Sequence, residues 1–210
     1  MSRLMLVGAT GLVGHCVLQQ ALADARVHQV VAPTRRALAP HPKLLNPLVD
    51  FDHLPEDADW WAVEAVICTL GTTIKAAGSQ AAFYRVDHDY PLQVARLAQC
   101  HGAKAYALNS ALGAYPTSRV FYSRTKGELE RDLQALGYPS LTCVRPGLIG
   151  GKRQQDRPAE QLAVRLSTLL QPLLPRRYRV VPAARIAHYL LQAALAGTPG
   201  VRVLMSEQLV

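Results

Sequence analysis

Cysteine is scarce. Cys16, Cys68, Cys100 and Cys143 are scattered over 210 residues with no CxxC pair among them. That spacing excludes a disulfide-stapled mini-protein and supplies no close thiol pair for zinc. The seven histidines (His15, His28, His41, His53, His88, His101 and His188) show no ligand spacing with acids or thiols, so no metal is expected. Long apolar runs are missing as well. The opening run over 4–7 stops at Gly8, Thr10 and Gly11, and no small-residue cleavage site follows, so it does not read as a signal peptide. The apolar stretch over 162–174 carries Arg165 and Pro172 and cannot span a bilayer. Together these absences lead to the expectation of a soluble cytoplasmic protein with reduced, mostly buried thiols and no membrane partner.

Acid is also in deficit, with 15 Asp and Glu against 23 Lys and Arg, a formal net charge of +8. The surplus is concentrated between Arg145 and Arg185, where nine basic residues face two acidic ones. A basic chain could bind nucleic acid, but no recognised binding module or series of stacking aromatics accompanies the charge, and none is expected. No repeat or low-complexity segment is visible, which excludes collagen-like and coiled-coil architectures.

What is present is enough apolar material for one sizeable core. Half the residues are hydrophobic and 18% are charged, and the length suits a single domain over 1–210. Short apolar runs alternate with helical patterns as far as Arg145. Strands are expected over 4–7, 28–32, 45–49, 62–70, 104–108 and 141–144, and helices over 12–23, 80–101 (interrupted or entered afresh near Pro91) and 118–136. Such alternation predicts an α/β fold of Rossmann type, a doubly wound parallel sheet with helices on both faces. Beyond Pro146 the texture changes to glycines and a basic stretch, then helical patterns over 159–170 and 183–196. Residues 147–200 read as a small C-terminal cap on the substrate side.

Gly8-Ala-Thr-Gly11-Leu-Val-Gly14 lies between the first strand and the first helix. Glycines there allow a tight turn, close approach of backbone to a pyrophosphate and close packing of helix on strand. The phosphates would meet the free N–H groups and positive end of the helix dipole. A glycine triplet alone is weak evidence; its place between an apolar strand and an amphipathic helix gives it weight. The residue that reads the adenosine ribose follows the second strand, where an acid accepts from a 2′-hydroxyl and an arginine accommodates a 2′-phosphate. Here the sequence is Ala32-Pro-Thr-Arg35-Arg36, with no Asp or Glu from 28 to 48. A guanidinium binds phosphate bidentately, so NADP(H) is preferred over NAD(H).

Tyr122-Ser-Arg-Thr-Lys126 puts a phenol and an ammonium on one helical face. Ser110 closes the strand over 104–108, at the sheet edge where such folds bind ligands. A free tyrosine has a pKa near about 10 and is a poor base at neutral pH; a neighbouring Lys⁺ favours the phenolate. The pair could exchange a proton with a substrate hydroxyl or carbonyl while hydride moves to or from a nicotinamide. Ser110 would hydrogen-bond the same oxygen. A YxxxK on a helix is commonplace alone, with an exposed Lys and a half-buried Tyr. The glycine loop and the serine give it meaning.

Those segments, with Arg145-Pro146-Gly147, resemble the short-chain dehydrogenase/reductase superfamily, and the GxxGxxG spacing is similar to its extended and atypical branches. Cys68-Thr-Leu-Gly-Thr-Thr73, Arg85-Val-Asp-His-Asp-Tyr90, Lys126-Gly-Glu-Leu-Glu130 and Arg153-Gln-Gln-Asp-Arg157-Pro158 resemble the atypical group of the Tat-interacting tumour-suppressor oxidoreductase and its bacterial relatives. The resemblance implies NADPH as cofactor. It implies that Gly8, Thr10, Gly11, Leu12 and Val13 bind the diphosphate, Arg35 the 2′-phosphate, and Asp50 and Phe51 flank the adenine. Leu70, Gly71 and Thr72 would line the nicotinamide ribose, Lys126 would bond its hydroxyls, and Pro146 and Leu148 would border the ring. Many members have an asparagine in the fourth helix, and this chain has Asp87 nearest that place. It also offers one hydroxyl, Ser110, where relatives often have two or three.

The expected function is an NADP-dependent oxidoreductase acting on a small carbonyl or alcohol, with Ser110, Tyr122 and Lys126 as its site. The alternative is an NADPH-binding regulatory or redox-sensing protein with little turnover. Epimerase chemistry on a nucleotide sugar needs more room than the residues after Arg145 provide. Lys152, Arg153, Arg157, Arg165, Arg176, Arg177 and Arg179 would form a cationic rim drawing phosphorylated or carboxylated substrates, unless they are scattered solvated charge. A homodimer through the long helices is expected on fold analogy alone.

Overall fold

A computed structural model describes residues 2–150 and 175–210. The helix expected over 159–170 and the basic residues Lys152, Arg153, Arg157 and Arg165 lie outside the described residues.

The chain runs β1 (Ser2–Val7), α1 (Leu12–Ala23), β2 (Val27–Val31), β3 (Leu44–Leu45), β4 (Ala65–Cys68), α2 (Ile74–Ala77) and α3 (Gln80–Tyr84). A π-helical turn (Arg85–Asp89) leads into α4 (Tyr90–Cys100), followed by β5 (Ala105–Asn109), α5 (Phe121–Ala135) and β6 (Ser140–Arg145). After β7 (Ile149–Gly150) the described chain resumes towards β8 (Val181–Pro182), α6 (Ala183–Ala196) and β9 (Gly200–Met205). Seven strands form one sheet in the order β3-β2-β1-β4-β5-β6-β9, with every neighbouring pair parallel. This is the Rossmann arrangement, and its order reverses between β1 and β4.

The period of two in a strand explains the layering. Along β1, Leu4 and Leu6 enter one apolar cluster while Met5 and Val7 enter the other. The first cluster is closed by Val13 and Val17 of α1 and by Ile186, Leu190 and Leu191 of α6. The second is closed by Val94 and Ala95 of α4 and Leu129 and Leu133 of α5. Each fully buried aliphatic side chain contributes roughly 1.5–3 kcal/mol, so a central strand buried on both faces anchors both layers.

Three segments differ from the sequence reading. The helix expected over 80–101 with a break near Pro91 is interrupted just before it, by a π-helical turn that inserts an extra residue and turns Asp87 and His88 into the interior. Residues 183–196, read as part of a cap, form α6 and cover the sheet beside α1. The strand β9 had no counterpart in the sequence reading. Among the described residues, no helix is long and apolar enough to cross a membrane. All four cysteines are free; Cys68 and Cys143 are buried, Cys16 is half-buried and Cys100 is exposed.

Candidate functional site

The carboxyl ends of β1, β4, β5 and β6 bring the predicted residues to one edge of the sheet. Gly8 turns the chain out of β1 with φ +90°, a left-handed conformation that favours glycine. Gly14 lets α1 press against that turn: a β-carbon there would lie 2.1 Å from the Gly8 carbonyl oxygen. The Thr69 hydroxyl ties the loop after β4 to this turn, donating to Val7 O at 3.0 Å or Gly8 O at 3.2 Å. The first turn of α1 has no side-chain cap and no acidic residue. Its N–H groups therefore remain available, with Thr10 and Gly11 exposed, Leu12 half-buried and Val13 buried. A carboxylate here would repel phosphate; this cradle is bare backbone and fits a dinucleotide's diphosphate.

Arg35 stands exposed just past β2. Its loop is pinned by Asn46, which donates to Ala32 O at 2.6 Å and to the Thr34 hydroxyl at 2.8 Å, and accepts from the Leu38 N–H at 2.8 Å. Asp50 is exposed and pairs with His53 at 3.0 Å, which holds its carboxyl below the usual range. Phe51, by contrast, is buried in the core, its ring 5.6 Å from that of Tyr90.

Lys126 is buried on α5, and its Nζ lies 2.7 Å from Asp87 Oδ1. Asp87 Oδ2 accepts from the Thr72 N–H at 2.8 Å. The carboxylate on the π-helical turn thus joins the loop after β4 to the lysine, and Gly71 lies against both side chains. Burial alone would push the ammonium's pKa down, but the Asp87 carboxylate and the Tyr122 phenol outweigh it and hold the pKa above its ordinary value. Lys126 stays charged.

Tyr122 is 40% exposed and faces a cleft of about 370 Å³ with Ala111, Leu112, Pro146, Gly147 and Leu148. Its ring lies 5.9 Å from Phe83 of α3. Ser110 is not among the lining residues. It is buried, and its hydroxyl donates to Glu130 Oε1. Glu130 also accepts from Arg145 Nε at 3.0 Å (Oε1) and 3.2 Å (Oε2). The Glu130 interaction holds the guanidinium above its usual value. A second hollow of about 440 Å³, beside Ser2, Arg26 and Gln192, lies at the amino end of β1, away from these groups.

The structure therefore gathers the glycine loop, Leu70–Thr72, Lys126, Tyr122, Pro146 and Leu148, while Ser110 and Phe51 point into the interior. Sequence reasoning missed Glu130 and Ala111. A signal for Glu130 existed: positions 122, 126 and 130 repeat every four residues, so the face that carries the Tyr and Lys also carries an acid.

No protein-family model matches the chain. Among curated proteins it is 37% identical over 177 residues to "Protein fmp52, mitochondrial" of Emericella nidulans, covering 78% of this chain and 73% of that one. It is 36% identical over 163 residues to "Protein HTATIP2" of Rattus norvegicus, covering 75% and 67%. Among solved structures it superposes on MoeE5 in complex with UDP-glucose and NAD with a TM-score of 0.74 at 17% identity, covering 96% and 75%. A short-chain dehydrogenase family protein from Francisella tularensis gives a TM-score of 0.66 at 11% identity, covering 99% and 98%. These likenesses support the Rossmann fold. The fungal relatives are named mitochondrial proteins, which overturns the cytoplasmic placement. Sparse thiols separate oxidising compartments from reducing ones and do not choose among the latter.

Proposed function

The chain belongs to the atypical short-chain dehydrogenase/reductase group that includes fmp52 and HTATIP2, and on that footing we propose that it interconverts a small carbonyl compound and its alcohol with NADP(H). The observation that carries the reading is the convergence of a charged, buried Lys126 and a cleft-facing Tyr122 on the sheet edge that holds the bare glycine cradle. The residues that would hold the nucleotide are Gly8, Thr10, Gly11, Leu12 and Val13 at the diphosphate, Arg35 at the 2′-phosphate, Asp50 at the adenine rim, and Leu70, Gly71, Thr72 and Lys126 at the nicotinamide ribose. Pro146 and Leu148 would border the ring. When bound, the nicotinamide supplies hydride to a carbonyl carbon or takes it from an alcohol.

Tyr122 delivers a proton to the carbonyl oxygen in reduction and removes it in oxidation. Its partial exposure lets solvent restore that proton. Lys126 holds positive charge beside it, and Asp87, anchored by the Thr72 N–H, keeps that charge in place. Arg35 favours the phosphorylated nucleotide because no carboxylate from 28 to 48 opposes it.

The test is a fluorescence titration of NADPH against NADH, repeated on Arg35→Ala, together with turnover of Tyr122→Phe. Losing the guanidinium is expected to weaken NADPH about tenfold or more and leave NADH unchanged. Tyr122→Phe is expected to lower kcat about 100-fold or more with nucleotide affinity intact. Equal losses for both nucleotides would remove the NADP preference, and retained turnover would remove Tyr122 from the chemistry.

A further inference from the structure

Resting on the oxidoreductase reading, we propose that no serine of the β5 exit joins Tyr122 at the substrate oxygen: Ala111 occupies the cleft position after β5, and Ser110 is a positioning residue for Glu130 and Arg145. The backbone fixes this arrangement. The Ser110 N–H donates to Val144 O at 2.8 Å and the Leu112 N–H to Pro146 O at 2.9 Å, extending the β5–β6 ladder beyond its last strand residue. In such an extended stretch consecutive side chains point to opposite sides. Ser110 therefore turns inward to Glu130, while Ala111, itself mostly buried, lies among the residues that line the cleft with Tyr122.

The hydroxyl has one hydrogen, and a carboxylate only accepts, so Ser110 gives its proton to Glu130. Swinging it towards a substrate would strip a buried carboxylate of a charge-assisted bond. Glu130 in turn grips Arg145, the residue before Pro146 and Gly147, which border the cleft. Ser110 thereby sets the position of the β6 exit. It acts on the site through Glu130 and Arg145.

The test measures kcat and KM for NADPH-dependent reduction of 9,10-phenanthrenequinone, NADPH affinity and Tm in the full chain and in Ala111→Ser, Ser110→Ala, Ser110→Thr and Ser110→Ala/Ala111→Ser. A hydroxyl added at position 111 reaches the cleft, so Ala111→Ser is expected to raise kcat about tenfold, less than the roughly 100- to 1,000-fold of a preorganised oxyanion donor, at unchanged NADPH affinity. Ser110→Ala is expected to lower Tm and raise KM for the quinone, Ser110→Thr to restore both, and the double variant to keep the kcat gain. A hundredfold fall in kcat for Ser110→Ala at unchanged Tm would overturn the proposal. So would Ala111→Ser without a gain, including the case in which neither it nor the parent chain turns over while both bind NADPH. If the parent chain binds no NADPH, the oxidoreductase reading fails first and takes this proposal with it.

Discussion

The two sides of the sheet edge are built from different materials. Around β1 and α1 the site is backbone: three glycines, a helix end without a cap, and no charged side chain in its first turn. Around β4, β5 and β6 it is side chain, with two buried polar clusters, Thr72–Asp87–Lys126 and Ser110–Glu130–Arg145. A backbone cradle recognises phosphate by shape and dipole, and it tolerates no added volume. A buried ion pair tolerates changes of shape but not the loss of one partner, which strands the other charge. The two halves should therefore fail in different ways.

The largest effect is expected at Gly14. Alanine there would place a methyl 2.1 Å from Gly8 O and 2.6 Å from Thr69 Oγ1. Neither atom is the end of a long flexible side chain, so α1 must move off β1. Dinucleotide affinity is expected to fall at least about 100-fold, and stability by about 3 kcal/mol, the upper part of the usual overpacking range. Titration and chemical denaturation check the two numbers separately. Stability lost with affinity retained would mean that the cradle does not depend on this contact.

The same division explains what could be read from the chain. Leu4–Val7, the glycine loop and the later core strands are local patterns, in which a few neighbouring residues specify a both-faces-buried strand or a turn with positive φ. The helix α6 was legible over its whole span, although its place was not: only tertiary packing shows that it lies beside α1. The edge strand β9 escaped because Gly200 to Val203 are exposed, and Arg202 interrupts the apolar run, so neither continuous burial nor a buried face marks it. Pro91 marked an interruption of the helix over 80–101 but not its kind, since one inserted residue within a helical pattern looks like helix. Ser110 was found, but its orientation depends on Glu130, twenty residues later. Lys126 was found, but its partner Asp87 lies 39 positions earlier and one turn of anomalous helix decides where that carboxylate points.

The next effect sharpens the side-chain half. Asp87→Asn would leave the Lys126 ammonium buried beside an amide and is expected to cost about 3 kcal/mol near neutral pH. Adding Lys126→Met removes the stranded charge, and the double variant should recover most of that loss in stability. The sign of the pH dependence follows from the lysine. Its folded pKa is raised in the parent chain, so its contribution is complete below about pH 10 and is lost as pH rises through the folded value. Without Asp87, the main opposition to burial is gone and the Tyr122 phenol alone offsets less of it, so that pKa falls and Asp87→Asn loses protons earlier on the way up. The stability gap between parent and variant should therefore begin to narrow below about pH 10, where the variant's ammonium deprotonates, and go on narrowing up to the parent's folded value. A gap independent of pH would point to lost packing rather than lost charge pairing.

The smallest effect lies at the far edge of the sheet, where the same kind of pair meets water. Arg26 Nη2 lies 2.6 Å from Asp24 Oδ2 at the end of α1, and the guanidinium, followed by the Arg26 N–H, holds the Asp24 carboxyl at about 2. A lowered carboxyl contributes stability above the unfolded value near about 4, and that contribution is lost as pH falls through the folded one. Arg26→Gln removes the charge and keeps the backbone donor. The Arg26 side chain is 55% exposed, so solvent screens most of the attraction. The expected change in Tm at pH 7 is therefore under about 2 °C, shrinking towards pH 2 and with added salt. Thermal melts at pH 7 and pH 3 would read it. A loss as large as that of Asp87→Asn would show that burial is not what separates the two pairs, and the contrast between a rigid polar interior and a forgiving rim would fall with it.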